Sequence, residues 1–564
     1  MRPAVWAPRA GTVTLDLGSA EHPMSATADG WFESPVDLAP GDRYAFRLDG
    51  GAPLPDPRSF SLPDGVHGPS EVLDPALFTR ATQWPGRDLR GAVLYELHIG
   101  TFTGPGTFDA AVERLDHLVD LGVDAVELMP VAAFPGERGW GYDGVALFAV
   151  HEPYGGVAGL VRFVDACHER GLAVVLDVVH NHLGPEGNYL GQFGAYFTDR
   201  HETPWGEAVN LDGTDSREVR RFLLDSARHW LVDVGVDGLR LDAVHALHDD
   251  SQRHFLAELS GCVSAWEGEV GRPLTLIAES DLNQPSMVSA VGSVPDARGM
   301  DAQWADDVHH ALHSFFGRET QGYYGDFGTI DDVVKALTRP FVRDGSFSAF
   351  RGRLWGAPVD PASPLYDGHS FVVFLQDHDQ VGNRAVGDRF HQHAGLGEQA
   401  AGAALYLLSP YTPMLFMGEE WAASSPFPYF SDLGPELGPL VTEGRLREFA
   451  AMGWAEPTPD PQDPATARSA VLDWEERTTS PHREMAEFYR RLLELRRLHP
   501  ELRDPDLADV RAEVVDGDTV ALHRGPFTIT ATRGRLALNP PGEVLASYLD
   551  REGAGPGAVV TRRS

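Results

Sequence analysis

The sequence predicts an α/β protein built around a (β/α)8 TIM barrel, with an N-terminal β-sandwich before it and a small C-terminal antiparallel β domain after it. Three observations carry this prediction. Short alternating runs occupy the first 85 or so residues, apolar runs then alternate with helical segments, and alternating runs return after about residue 500. A chain of 564 residues can hold one large domain and two smaller ones.

The two ends of the chain have the pattern of antiparallel β structure. Near the start, "TVTLDL" and "YAFRLDG" alternate apolar and polar residues between Gly, Pro and Asp. Near the end, "VRAEVVDGDTVALHRG" and "FTITATRGRLAL" do the same. We therefore expect the sandwich at residues 1–88, the barrel with its insertions at 89–495 and the C-terminal β domain at 496–564.

Eight apolar runs between the two ends predict the strands of the barrel. They cover residues 92–98, 123–130, 173–179, 236–243, 274–280, 299–304, 371–379 and 412–418, and the sixth is the least regular. Segments with helical spacing, such as "FDAAVERLDHLVDLG", separate them. In a TIM barrel the active site lies at the C-terminal ends of the strands. Acidic residues recur at these ends: Asp177, Asp242, Glu279 and Asp379.

The run "DGLRLDAV" (237–244) places two charges in a strand that is otherwise apolar. Side chains alternate between the faces of a strand, so Arg240 and Asp242 share one face. A lone Arg-x-Asp pair is most simply a structural ion pair. The repeated acids at the other strand ends favour a cleft with chemistry in it.

Converging carboxyl groups suit the cleavage of a glycosidic bond, which needs a protonated acid and an ionised carboxylate. Arg240 should keep Asp242 ionised, which makes it the nucleophile candidate. Glu279 follows the apolar run "LTLIA", and burial there should raise its pKa and favour the acid form. Trp140 and Tyr142 in "GWGYDG" offer aromatic faces on which a sugar ring can pack.

Four motifs in order resemble the signature regions of the α-amylase superfamily of retaining glycoside hydrolases. They are "DVVHNH" (177–182), "GLRLDAVH" (238–245), "IAES" (277–280) and "DHD" (377–379). The resemblance implies that Asp242 is the nucleophile, Glu279 the general acid/base and Asp379 the stabiliser of the transition state. The substrate-binding residues that it implies or suggests are Trp140, Tyr142, Asp143, His182, Arg240, His245, Asp306, Asp307, His378, Gln380 and Asn383. Asp306 and Asp307 have an alternative role as caps of a helix.

Longer stretches closely resemble one family within this superfamily, the malto-oligosyltrehalose trehalohydrolases. Among them are "YELHIGTFT" (95–103), "DHDQVGNRAVGDR" (377–389) and "SPYTPMLFMGEEW" (409–421), and the segment before residue 89 resembles the carbohydrate-binding-module-like accessory domain of related enzymes. Members cut the α-1,4 bond next to the terminal trehalose unit of maltooligosyl trehalose. The resemblance implies this substrate, no cofactor, and functional coupling to a maltooligosyl trehalose synthase. Asp377 departs from the family, which usually has Asn there.

The composition indicates which binding partners the protein can have and in which cellular compartment it works. With 46 Lys and Arg against 83 Asp and Glu, the net charge of −37 should repel nucleic acid and anionic membranes. We expect no membrane span, because no apolar stretch approaches the roughly 18 residues that one needs. The N-terminal residues lack the apolar core of a signal peptide, and two cysteines are too few for a disulfide framework. These features predict a cytoplasmic protein.

Three other functions remain open from the sequence. A metal hydrolase is one, because His180 and His182 form an H-x-H at a strand end, although our prediction is that no metal is bound. A glycogen branching or debranching enzyme is the second, since these relatives share the catalytic acids. The third is a carbohydrate-binding relative without catalysis, which we would expect to lack one of the three acids.

Overall fold

The structure is a computed structural model that describes residues 1–80, 83–452, 458–536, 541–549 and 555–563, and for residues 448–452 only the backbone. The last two residues of the predicted run "FTITATRGRLAL", 537 and 538, lie outside these ranges. No helix in the described ranges combines the length and the apolar character that crossing a bilayer requires.

Two antiparallel sheets form the N-terminal part. Their strands are β1 (Ala4–Trp6), β2 (Val13–Asp16), β3 (Glu21–Pro23), β4 (Ser25–Ala26), β5 (Trp31–Glu33), β6 (Arg43–Leu48), β7 (Pro53–Leu54) and β8 (Ser70–Glu71). One sheet has the order β1-β5-β4, and the other has the order β3-β2-β6-β7 with β8 also paired to β6. Trp31 lies against the barrel, where its Nε1 donates to Glu218 Oε2 at 3.2 Å and Arg58 lies 5.6 Å from its ring.

The middle of the chain contains the barrel. Its strands, with those of the insertions, are β9 (Leu94–Leu97), β10 (Ala125–Leu128), β11 (Ala132–Ala133), β12 (Ala146–Val150), β13 (Ala173–Val178), β14 (Phe197–Thr203), β15 (Gly206–Val209), β16 (Gly238–Leu241), β17 (Thr275–Ala278), β18 (Ala302–Trp304), β19 (Ser346–Ser348), β20 (Arg353–Trp355), β21 (Phe371–Val373) and β22 (Thr412–Phe416). Parallel pairing closes β9, β10, β13, β16, β17, β18, β21 and β22 into one barrel. Each barrel strand falls within one of the eight predicted runs, so the predicted fold class is confirmed.

Helices surround the barrel and fill its loops. They are α1 (Ile99–Phe102), α2 (Phe108–Val112), α3 (Leu115–Leu121), α4 (Gly156–Glu169), α5 (Leu190–Phe193), α6 (Ser216–Arg228), α7 (Phe255–Val270), α8 (Asp306–Gly317), α9 (Ile330–Thr338), α10 (His378–Gly382), α11 (Phe390–His393), α12 (Leu396–Leu407), α13 (Gly438–Met452), α14 (Pro464–Ser469) and α15 (His482–Leu498). In α6 the buried Val219, Phe222 and Leu223 recur at helical spacing, which gives it one apolar face for the core.

The inside of the barrel is apolar at one end and charged at the other. Ala173, Val175 and Ile277 belong to an apolar cluster that fills its lower part. Two residues further along β13 and β16, Asp177 and Arg240 are register partners that point to the same interior. The strand ends therefore carry charged groups into the mouth of the barrel, as the alternation in "DGLRLDAV" predicted.

The C-terminal part is one antiparallel sheet. Its strands are β23 (Arg511–Asp516), β24 (Thr519–Arg524), β25 (Phe527–Thr532), β26 (Glu543–Leu549) and β27 (Gly557–Arg562), in the order β23-β24-β25-β27-β26. Arg533, just after β25, donates from Nη1 to the carbonyl of Phe315 in α8 at 2.8 Å. The sheet therefore contacts α8, one of the helices that surround the barrel.

Candidate active site

A cleft of about 890 Å³ opens at the C-terminal ends of the barrel strands. Ten of the residues predicted from the sequence line it: Trp140, Tyr142, Asp143, His182, Asp242, His245, Glu279, His378, Asp379 and Asn383. Their side chains are brought together from positions that span more than two hundred residues of the chain. The cleft therefore lies where TIM barrels place their active sites.

Arg240 lies beneath the cleft and holds three carboxyl groups. Its Nη1 donates to Asp177 Oδ2 at 2.8 Å and to Asp242 Oδ1 at 2.9 Å, while its Nη2 lies 3.2 Å from Glu279 Oε2. Its guanidinium carbon lies 4.2 Å from the centre of the Trp304 ring. The side chain is completely buried, so the carboxylates around it are what make its charge tolerable there.

Glu279 is poised as an acid by its surroundings. One of its oxygens, Oε2, accepts the N–H of Ala243 at 2.5 Å and faces Arg240. Ala243 has a left-handed backbone (φ 36°), a conformation that costs energy for a residue with a side chain and that aims its N–H at the carboxyl group. Burial, reinforced by Asp242 and Asp379 against the opposing charge of Arg240, raises the pKa of Glu279 well above its usual value.

A chain of hydrogen bonds joins His378 to the arginine. His378 Nδ1 lies 2.5 Å from Glu96 Oε1, and its Nε2 lies 2.8 Å from the hydroxyl of Tyr142, which in turn donates to Asp177 Oδ2 at 2.6 Å. Burial alone would lower the pKa of His378, but Glu96 and Asp379 outweigh it and raise that pKa to about 10. His378 is therefore a cation that donates from both ring nitrogens.

Asp379 sits at the start of α10, on the more open side of the cleft. Its Oδ1 accepts from Asn383 Nδ2 at 3.2 Å and lies 3.6 Å from His378 Nε2. Asp377 caps the same helix by accepting the N–H of Gln380 at 2.9 Å. Burial, reinforced by the nearby Glu96, raises the pKa of Asp377 well above its usual value.

Aromatic rings form two walls of the cleft. Trp140 is stacked on Phe427 with ring centres 5.2 Å apart, and Gly382 of α10 approaches it so closely that an added Cβ would lie 2.0 Å from the indole. Trp205, in the turn between β14 and β15, is stacked on His182 with centres 4.5 Å apart and is 48% exposed. The exposed ring of Trp205 is where a pyranose ring can pack, whereas Trp140 is only 5% exposed and contributes mainly its edge to the wall.

Four predicted residues lie outside the surface of the cleft. Arg240 lies beneath it. Asp307 turns away, because its Oδ2 accepts from Asn283 Nδ2 and from the N–H groups of Val342 and Arg343. Asp306 is the first residue of α8 and Gln380 lies within α10, and both are half-buried. Burial raises the pKa of Asp306 to about 6. Neither Asp306 nor Asp307 accepts a hydrogen bond that would cap α8, whose N-cap residue is Ala305.

Several residues of the site were not singled out from the sequence. Glu96 binds both the N–H and the ring of His378, and Glu127 is 1% exposed with neither oxygen hydrogen-bonded. Each is a single acid in an apolar strand, "LYEL" or "AVEL", and an unpaired acid in such a strand is the signal that could have found them. Trp205, Tyr429 and Arg445 also line the cleft, from insertions that carry no catalytic motif.

The described residues do not support a metal centre built on the H-x-H at the end of β13. Within the described ranges, the groups that could hold a metal are His313 with Glu319 and His393, and His201 with Asp212 and Asp250; neither contains His180 or His182. His182 instead lies 3.1 Å through Nε2 from the carbonyl of Tyr142.

Comparison with known proteins decides the family. The chain is 50% identical to the malto-oligosyltrehalose trehalohydrolase of Arthrobacter ramosus, in an alignment that covers 99% of each chain. The chain belongs to the malto-oligosyltrehalose trehalohydrolase family. The family assignment agrees with the resemblance that the motifs indicated, and it makes the protein a glycoside hydrolase.

Two further matches are consistent with this family. Residues 57–204 match the family model of the alpha amylase catalytic domain. A crystal structure of a putative alpha amylase from Salmonella typhimurium superimposes with a TM-score of 0.90 at 37% identity, covering 100% of this chain and 97% of that one. A 1,4-alpha-glucan branching enzyme from Pseudoalteromonas atlantica is 30% identical over only 43% of this chain. The trehalohydrolase family is thus matched along nearly the whole chain and the branching enzyme over less than half of it.

Proposed function

We propose that this enzyme hydrolyses the α-1,4-glucosidic bond next to the terminal trehalose unit of maltooligosyl trehalose and releases trehalose. The observation that carries the proposal is the pair of carboxyl groups held by Arg240. Asp242 accepts from one end of the guanidinium, and Glu279, with its raised pKa, lies at the other. Membership of the trehalohydrolase family selects the bond and the leaving group.

The reaction needs both groups in different protonation states. Asp242 Oδ2 attacks the anomeric carbon while Glu279 gives its proton to the bridging oxygen, so the C–O bond to trehalose breaks as the C–O bond to Asp242 forms. A water molecule, deprotonated by Glu279, then attacks the same carbon and frees Asp242. Two displacements retain the configuration, which requires carboxyl groups about 5 to 5.5 Å apart. Placement of both on one guanidinium supports such a short separation.

The surrounding residues support this chemistry by position and charge. Asp379 and the cationic His378 face the cleaved ring, and Tyr142 offers its ring as a platform on the floor of the cleft. Positive charge develops on the sugar in the transition state, and a carboxylate at Asp379 stabilises it. The hydrogen bonds of His378 to Glu96 and Tyr142 hold its ring in one orientation beside the cleft.

A branching activity is the second candidate, because the catalytic acids of the two reactions are the same. Its support is the partial match to the branching enzyme. The two differ in the acceptor, which is water in one case and a sugar hydroxyl in the other. A maltooligosyl trehalose synthase would supply the substrate of the hydrolytic reaction.

The assay that tests the proposal is release of trehalose from maltotriosyl trehalose. We expect trehalose and maltotriose as the products, with little attack on maltopentaose and few new α-1,6 linkages. Chromatography measures the release of trehalose and the attack on maltopentaose. Proton NMR of the anomeric positions detects new α-1,6 linkages. Efficient formation of α-1,6 linkages, or equal rates on both oligosaccharides, would contradict the proposal.

The pH dependence should show an alkaline limb that is set by Glu279. The enzyme needs the protonated form of Glu279, so kcat/KM is full below the pKa of Glu279 and falls as pH rises through it. Because burial raises that pKa, the fall should begin well above the range of an ordinary glutamate. Maltosyl fluoride needs no proton on its leaving group, so its cleavage should lack this limb. An identical limb with both substrates would assign it to another group.

A further inference from the structure

The order of the strands in the barrel shows which groups lie on opposite sides of the cleft. Glu279 follows β17, the fifth barrel strand, whereas Trp140 follows β10, the second, and α13 follows β22, the eighth. In a closed ring of eight, the second and eighth strands flank the first, which lies opposite the fifth. Trp140 and α13 therefore stand across the mouth from the acid.

The inference rests on the proposed function. Given that function, this geometry determines on which side of the cleft each part of the substrate lies. Glu279 must reach the oxygen of the departing trehalose, so the trehalose unit lies on the side of the fifth strand. The glucan on the other side of the cleaved ring then extends toward Trp140 and α13. The part of the wall that α13 contributes consists of Val441, Gly444 and Arg445.

Arg445 is held at this wall by contacts on two sides. Its Nη2 donates to Asn383 Oδ1 at 2.9 Å, and its guanidinium carbon lies 4.5 Å from the centre of the Tyr429 ring. Tyr429 also lines the cleft and meets Trp140 edge to face, with ring centres 5.2 Å apart. The planar cation and the two rings thus form one continuous surface along the cleft.

We propose that Arg445, together with Tyr429, binds the glucosyl residue that precedes the cleaved ring and makes the enzyme select substrates that extend this far. A guanidinium presents several N–H groups in one plane, which matches neighbouring hydroxyl groups of a pyranose, and an aromatic face matches its C–H groups. The contacts with Asn383 and Tyr429 already fix the arginine, so little conformational freedom is lost when sugar binds.

The test compares two substrates that differ only in whether they reach Arg445. Glucosyl trehalose fills the cleaved position and the trehalose side, whereas maltotriosyl trehalose adds glucosyl residues on the α13 side. For Arg445→Met we expect kcat/KM on maltotriosyl trehalose to fall about 10- to 100-fold, as for loss of a hydrogen bond from a charged group. On glucosyl trehalose we expect a change of less than about twofold because that substrate does not extend to the arginine.

Two further variants sharpen the comparison. Arg445→Lys keeps the charge without the planar fork, so it should recover only part of the loss. Arg447→Met is the matched control, because Arg447 is exposed on the same helix, where it lies 4.0 Å from Glu443, and does not line the cleft. It should behave as the wild type on both substrates.

The outcomes separate this inference from the function on which it rests. Equal losses on both substrates, or no loss on either, in Arg445→Met would overturn the role of Arg445 while trehalose release by the wild type still stands. Failure of the wild-type enzyme to release trehalose from either substrate would overturn the proposed function and the inference with it.

Discussion

Replacement of Asp242 with Ala is expected to lower kcat on maltotriosyl trehalose by about 10⁴-fold or more, as for other enzymes that lose their nucleophile. Asp242 lines the cleft, with one oxygen on Arg240 and the other 3.9 Å from His182 Nδ1. Asp177 is bonded to the same nitrogen of Arg240 but does not line the cleft, so it is not placed to act in its stead. The rate is measured as trehalose released under saturating substrate, with the fold checked by circular dichroism.

Azide tells the nucleophile from the acid. In Asp242→Ala, azide can attack the anomeric carbon directly while Glu279 still protonates the leaving group, and a single displacement gives the inverted β-glycosyl azide. In Glu279→Ala supplied with maltosyl fluoride, whose fluoride leaves without a proton, azide instead attacks the intermediate on Asp242 and gives the retained α-glycosyl azide. If each variant gave the product expected of the other, the two assignments would have to be exchanged. If Asp242→Ala kept its rate, Asp242 could not be the nucleophile.

Replacement of Arg240 with Met is expected to destabilise the protein by about 3–5 kcal/mol, the usual cost of leaving a buried charge without its partner. Asp177 and Asp242 would lose the cation to which both are hydrogen-bonded. The free energy of unfolding is obtained from denaturant titrations followed by tryptophan fluorescence. Arg447→Met again serves as the control, since it removes an exposed arginine.

A second replacement shows whether charge is the cause. Adding Asp177→Asn to Arg240→Met removes one of the uncompensated acids, so the double variant should regain part of the lost stability. Burial raises the pKa of Asp177 to about 6 even with Arg240 beside it, and loss of that cation should raise the pKa further. The gain should therefore be larger at pH 8 than at pH 5, where Asp177 is already mostly protonated. A double variant that is less stable than Arg240→Met at pH 8 would rule out this electrostatic explanation.

The barrel could be predicted from the sequence because its strands are buried on both faces and read as short apolar runs. The least regular run, 299–304, still yielded β18, since Ala302 and Trp304 point into the barrel core. The position of the three acids at the cleft could be predicted because they come after such strands: Asp242 and Glu279 directly follow β16 and β17, and Asp379 lies six residues after the end of β21. Strand parity also placed Arg240 and Asp242 on the same side correctly.

The partners of these groups could not be predicted, because they come from distant parts of the chain. Glu96 contacts His378 across 282 positions, and no local pattern in "LYEL" announces that pairing. Asp307 was grouped with the cleft residues, yet it accepts from backbone N–H groups about 35 positions away. The direction of a side chain in the first turn of a helix depends on the loop that packs beside it. Arg445 belongs to an insertion whose position over the cleft is set by tertiary packing.

The contact of Trp31 with α6 limits how far the N-terminal part of the enzyme can be truncated. Arg58 lies over the ring of Phe222 and donates to Asp225 Oδ2 at 2.7 Å, so the first strands of the chain serve as part of the outer coat of the barrel. Truncation before β9 would expose the apolar surface of α6 that Trp31 and Arg58 cover. It would also leave Glu218 without the hydrogen bond from the Trp31 indole. We expect such a truncated enzyme to aggregate during expression. A smaller enzyme is better obtained by shortening its exposed hairpins.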